Sequence, residues 1–311
     1  MNGLRPLVVV SVLALAVFAA AQAPARDARQ SADCGQVSTG LVPLTEMGKR
    51  RYKGQRGGLY PNGSNQPPRT YLKQGLAAAR RVRPINGRIV VLSIGMSMTT
   101  QEFRAFMRSA AGDSSINPAV KLVDGAIGSW DARRISKPSA GYWPAVDGRL
   151  AAAAASRREV QAVWLKEAIS GEDRQFPKDA NALRANLNAI ARILPRRFPN
   201  LRLIYTSSRI YGGYAVTALN PEPAAYDSGY GVRGLIQDRM QGKLKGAWIG
   251  WGPYLWADGL KARSDGLTWT CDDVRKDGTH PSAVGASKVA RLLLQFFKTD
   301  PTTKNWFLAA S

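Results

Sequence analysis

Five short apolar runs, spaced along the chain and separated by stretches of helical spacing or by glycine-rich turns, constrain its fold more than any other feature. They occupy residues 89–94, 120–123, 160–165, 201–205 and 247–251. Between them, residues 100–111 place Phe103, Phe106 and Met107 on one face, 149–155 are alanine-rich, and 179–197 are strongly amphipathic up to Pro199. Pro281 opens a last helical stretch through Phe297, proline being well placed at a first helical position. Ser156 and Glu159 have the spacing of a capping box. Strands alternating with crossover helices predict an α/β fold with a parallel sheet. Residues 22–83 fit no periodicity, and 57–63 are turn chemistry.

The N-terminus points to export. Arg5, an apolar stretch over 7–18 and Ala19-Ala20-Ala21 make a secretory signal peptide, expected to be cut after Ala21. An uncleaved anchor is the alternative. No other segment approaches the roughly 20 apolar residues of a membrane span. The expected organisation is a signal peptide over 1–21, an irregular basic segment over 22–87 packed on the core, and one domain over 88–311. A periplasmic or secreted location makes Cys34 and Cys271, the only two cysteines, candidates for a disulfide, the alternative being two buried thiols.

The formal net charge is +22. Ten positive charges fall between Lys49 and Arg83 with no Asp or Glu among them. Such a field attracts polyanions, here acidic glycans or envelope polyanions. A specific nucleic-acid partner is not expected, because no base-reading motif accompanies the charge. A solvated basic face is the plainer reading.

His280 is the only histidine, in Asp277-Gly278-Thr279-His280-Pro281. A zinc site built on several histidines cannot be assembled, and neither metal nor cofactor is expected. An aspartate three residues earlier can hold the imidazole Nδ1–H, leaving Nε2 as a base. In a parallel sheet, functional residues gather beyond the C-terminal strand ends. The first run delivers Gly95-Met96-Ser97 there, and the second delivers Gly125 and Gly128. The order Ser97, Asp277, His280 excludes chymotrypsin-like and subtilisin-like arrangements. It suits an α/β-hydrolase, but the Gly-x-Ser-x-Gly elbow is missing.

A serine after a first-strand glycine, glycines after the second strand and Asp-x-x-His before the final helix resemble the SGNH hydrolases, or GDSL esterases, over roughly residues 88–298. Residues 93–97 and 251–259 look like an exported bacterial branch of that superfamily. The resemblance implies a flavodoxin-like three-layer α/β/α sandwich with a five-stranded parallel sheet. It implies Ser97 as nucleophile, His280 as base and Asp277 as its orienter, with the Ser97 and Gly128 amides in the oxyanion hole. Two departures stand out. Met96 replaces the aspartate of Gly-Asp-Ser, and the third strand ends in 163–168 without the asparagine that completes the oxyanion hole. One missing donor costs about 10²–10³-fold in rate. Lys166 is the candidate replacement, a solvated or salt-bridged lysine the alternative.

Trp248, Trp251, Trp256 and Trp269 precede the His280 turn and are candidate sugar-stacking platforms, or else packing between the last strand and helix. Asp258, Arg263 and Asp265 could bond hydroxyls, and Arg209, Tyr211, Glu222 and Tyr226 follow the fourth strand and could line the same mouth. The expectation is an exported serine esterase acting on an acylated carbohydrate or envelope glycan. The competing expectation is a glycan-binding protein on the same scaffold.

Overall fold

The computed structural model describes residues 31–171 and 175–309, with Met1 and Gly3. The expected signal peptide otherwise lies outside the described residues. In chain order, helix α1 (Arg69–Ala79) precedes β1 (Ile89–Gly95), α2 (Ser97–Ala111), β2 (Val120–Asp124), α3 (Tyr142–Ala152) and β3 (Val160–Lys166). Then come α4 (Lys178–Arg197), β4 (Leu203–Thr206), α5 (Ala224–Met240), β5 (Trp248–Trp251) and α6 (Ala283–Thr299). All five expected strands form. They pair only in parallel, in the order β2-β1-β3-β4-β5. This is the expected flavodoxin-like sheet.

The strands form because their side chains are covered on both faces. Every residue of β1 and of β3 is buried, as continuous aliphatic strands of parallel sheets are. Trp164 of β3 stacks on Phe103 of α2, while Phe106 of α2 stacks on Phe297 of α6. Tyr205 of β4 meets Phe296 and Phe297 edge-on. Removal of each such side chain from water contributes roughly 1.5–3 kcal/mol. Helices α2 and α6 pack on one another, as do α4 and α5. Right-handed crossovers running in opposite directions from β1 put these two pairs on opposite faces. The order reverses at β1, so the C-terminal end of β1 is the topological switch point, where open α/β sheets place their sites.

Several local expectations change. Residues 69–79 are helical, although no period marks them. The buried side of α1 is Tyr71, Gly75 and Ala79, and a Cβ at Gly75 would lie 2.8 Å from the Trp248 ring. Small residues thus make a contact face that apolar bulk does not reveal. Helix α3 starts at Tyr142, ahead of the alanine-rich stretch. Ser156 and Glu159 close a turn into β3 and cap no helix, Glu159 Oε2 accepting from Ser156 N and Oγ at 2.7 and 2.8 Å. Helix α6 starts at Ala283, not Pro281, and Ser282 caps it, its Oγ accepting from Val284 N and Gly285 N.

Candidate active site

The turn between β1 and α2 is tightly determined. A Cβ at Gly95 would lie 2.3 Å from both the Lys166 carbonyl oxygen and Thr99 Oγ1, so only glycine passes. Tyr142 Oη accepts from Gly95 N and donates to Gly125 O, each at 3.1 Å. Thr99 Oγ1 donates to Lys166 O at 2.7 Å, and Thr100 Oγ1 to Ala126 O at 2.5 Å. These bonds fix the first turn of α2, and Ser97 is its first residue. The roles of Tyr142, Thr99 and Thr100 left no mark in the sequence, since each acts through a carbonyl or amide on another element.

The loop before α6 is equally constrained. Gly278 has φ +65°, and a Cβ there would lie 1.7 Å from the Tyr214 carbonyl oxygen. That same carbonyl accepts from Asp33 N at 3.0 Å. Cys34 is bonded to Cys271, with Cα atoms 5.4 Å apart. The segment at 33–34 is therefore held on both sides of the His280 loop. Arg275 N donates to His280 O at 2.8 Å, and Ser282 N to Asp273 O at 2.8 Å.

These two turns bring Ser97, His280 and Asp277 together. Ser97 Oγ lies 2.7 Å from His280 Nε2, and His280 Nδ1 lies 2.5 Å from Asp277 Oδ2. The carboxylate fixes the tautomer: Nδ1–H donates to Asp277, and Nε2 faces the hydroxyl as an acceptor. Asp277 Oδ1 also accepts from His280 N at 2.9 Å and Thr279 N at 3.0 Å. Burial works against the charged carboxylate. The bonds from His280 and Thr279 outweigh it, and Asp277 sits below the usual carboxylate range. Ser97, Asp277 and His280 are half-buried, and Gly128 is exposed. A Cβ on Gly128 would stand 3.6 Å from Ser97 Cβ, so its backbone borders Ser97. Ile127 N donates to Gly95 O at 2.9 Å and anchors that loop.

Lys166 does not face this mouth. Its side chain is completely buried, with Nζ 2.5 and 2.6 Å from the two Glu102 oxygens. Burial pushes its pKa down to about 8, aided by Arg209 and opposed by Glu102. The ammonium is committed inside the protein, and its candidacy as an oxyanion donor is withdrawn. Glu167, next along the chain, is raised well above its ordinary value by burial.

The candidate substrate residues are corrected as a group. Trp251, Trp256, Arg209, Tyr211 and Tyr226 are each at most 5 % exposed. Trp256 Nε1, Gly212 N and Tyr226 N all donate to Glu222, whose carboxyl burial raises to about 7. Trp251 Nε1 donates to Leu59 O, Tyr211 Oη to Gln36 O and Tyr226 Oη to Val42 O. Asp258 accepts from Ser38 Oγ, Thr39 N and Oγ1, and Gly40 N. Arg209 lies in the core, where Asn220, with its amide oxygen turned toward it, accepts from Nη2 at 2.8 Å. Burial holds Arg209 down at about 10. The polar tips of Trp251, Tyr211, Tyr226 and Asp258 thus hold residues 36–59 of the same chain. Trp248 and Trp269 are buried too.

Among the described residues, no group of three or more His, Cys, Asp or Glu could hold a metal ion. No described helix is long and apolar enough to cross a membrane.

No protein-family model matches this chain, and no curated protein does. Solved structures similar to it include a GDSL-like lipase from Bacteroides thetaiotaomicron, at 10% identity and a TM-score of 0.40 over 72% of this chain and 95% of that one. The periplasmic domain of a lipopolysaccharide acetyltransferase from Salmonella ser. Paratyphi A is similar at 13% identity and a TM-score of 0.38, over 73% and 94%. A protein from Arabidopsis thaliana matches at 16% identity and a TM-score of 0.36, over 64% and 67%.

Proposed function

We propose that this chain is an exported serine esterase of the SGNH type. The single observation that carries the reading is the continuous relay Ser97 Oγ–His280–Asp277, with bonds of 2.7 and 2.5 Å. A serine hydroxyl is a poor nucleophile until a base takes its proton. As Ser97 Oγ attacks the ester carbonyl, its proton passes to His280 Nε2, and Asp277 stabilises the imidazolium. The carbonyl oxygen gathers negative charge beside the amides of Ser97, at the N-terminus of α2, and of Gly128. His280 then protonates the departing alcohol, leaving Ser97 acylated. Water, activated by the same imidazole, releases the acid and restores the hydroxyl.

The exposure of Gly128 and the half-exposure of Ser97 and His280 favour a carbonyl met at the surface, as with a short acyl group on a large hydrophilic carrier such as a glycan. Export rests on the N-terminal sequence pattern and is supported by the Cys34–Cys271 bond. The glycan-binding alternative loses its aromatic platforms, which are buried.

The test is covalent labelling. A fluorophosphonate should modify Ser97 stoichiometrically, and the same protein should hydrolyse p-nitrophenyl acetate. A label on another serine, or none at all in folded protein, would overturn the reading.

A further inference from the structure

The edge of the sheet remote from Ser97 carries a second concave feature. A cleft of about 470 Å³ opens where α1, the end of α4 and the starts of β4 and β5 meet. Arg81, Arg202 and Arg239 line it, and no Asp or Glu does. Its remaining wall is mostly apolar, from Ala77, Ala78, Pro195 and Trp248.

Backbone bonds fix the chain around Arg202 and beyond Arg81, and hold the guanidinium of Arg239 itself. Arg202 N donates to Gln161 O, and Arg202 O accepts from Trp248 N, each at 2.9 Å, so the residue is locked between β3 and β5. Its Nε is buried without a hydrogen-bond partner. Arg239 Nε donates to Ala247 O at 2.9 Å and Nη2 to Gly246 O at 3.2 Å, which ties the group to two residues of the cleft wall. Arg81 is exposed at the rim. The chain just beyond it is clipped by Gln161, which accepts from Arg83 N at 3.1 Å and donates to Arg83 O at 2.6 Å. Burial lowers the pKa of Arg202, and the charges of Arg81 and Arg83 lower it further.

Like charges gathered in a concave, half-apolar site repel one another unless an anion arrives. A carboxylate would meet the charge of one guanidinium. A phosphate monoester carries about −1.5 to −2 and three strong acceptor oxygens, and guanidinium forks match its geometry. The cleft exceeds a bare phosphate and falls in the roughly 300–1,000 Å³ range of small-molecule sites, so the apolar wall has a carrier to cover. From the convergence of Arg81, Arg202 and Arg239 on an acid-free cleft, we infer that this site binds a phosphate monoester carried on a sugar-sized group. It is separate from the Ser97 mouth and independent of the esterase reading.

Titration calorimetry at 0.15 M salt tests this with glucose 6-phosphate, with glucose and inorganic phosphate as references. Co-sedimentation with vesicles containing phosphatidate tests whether the same monoester is taken from a lipid headgroup. Saturable binding of glucose 6-phosphate, tighter than of either reference, is expected. Vesicle binding lost with the same arginines would assign the lipid source. Arg81→Gln with Arg202→Gln should weaken binding at least tenfold, and Arg81→Gln alone, at an exposed position, should weaken it measurably with an unchanged melting temperature. The pair Arg50→Gln and Arg51→Gln removes equal charge elsewhere and should leave binding intact. No saturable binding by either probe, or an equal loss in the two pairs, would overturn the inference.

Discussion

Lys166 and Glu102 form a closed ion pair inside the protein, one ammonium against both oxygens of one carboxylate, with neither side chain exposed. Removing one partner of such a pair strands the other charge and costs about 3–5 kcal/mol. Lys166→Met should therefore lower the melting temperature sharply while kcat per folded molecule stays near that of the parent. Adding Glu102→Gln should recover most of the stability. A hundredfold fall in kcat at unchanged melting temperature would return Lys166 to the oxyanion hole.

Ser97 and His280 should behave as one unit. Each alanine substitution should remove most p-nitrophenyl acetate hydrolysis, and the double variant should lose little more, because residues that act together are not additive. Asp277→Asn should retain the fold and lose rate through the wrong imidazole tautomer. Steady-state kinetics on the four proteins decides it. Multiplicative losses would mean that Ser97 and His280 act separately.

The meeting of Ser97, His280 and Asp277 was legible because one histidine leaves one place for an imidazole, and Asp-x-x-His puts a carboxylate within its reach. The strands were legible because 89–94 and 160–165 are apolar runs broken only by Ser93 and Gln161, as burial on two faces requires. Helix α5 was not. Nearly all its sides are buried, so it has no polar face. Gly231 and Gly234 also sit where a Cβ would lie 2.9 Å from Leu183 and 2.5 Å from Arg184 of α4. Glycines that discourage a helix in a sequence here permit close packing of two. The tryptophans misled for a different reason: nearness to His280 along the chain does not say which way an indole points. Their partners, such as Leu59 and Tyr71, lie nearly two hundred residues away.

Asp227 should make stability depend on pH. It is 2 % exposed, and burial pushes it from 3.8 up to about 6, against the pull of Tyr52 and Lys53. Between about pH 4 and 6 the folded chain keeps a proton that the unfolded chain has released. This group's contribution to stability thus falls as pH rises through that window and stays low above it. Asp227→Asn should match the parent near pH 4 and exceed it at pH 7 by roughly 1–3 kcal/mol. Denaturant titrations at the two pH values measure it; an equal difference at both would rule the titration out.

The Cys34–Cys271 bond should matter to rate as well as to stability. Loss of a native disulfide typically costs about 2–5 kcal/mol. Cys271 begins the turn over Cys271–Asp273, and Asp273 O accepts from Ser282 N behind His280. Cys34→Ser with Cys271→Ser should lower the melting temperature and reduce kcat more than it changes KM. Unchanged kcat in the folded double variant would uncouple the bond from the His280 loop.

The attachments of residues 36–59 also set an order of events. Ser38 meets Asp258 across 220 positions, Leu44 meets Tyr254 across 210, and Leu59 meets Trp251 across 192. Such pairings must close long loops before they return any stabilisation, and folding slows as they come to dominate a structure. In a growing chain this segment finds its first distant anchors at Tyr211 and Tyr226, and the set is complete only when residue 258 has emerged. Ser97 waits longer still for the imidazole it faces, at 280. Esterase competence should therefore arise in one late step, with no partly active fragment before it.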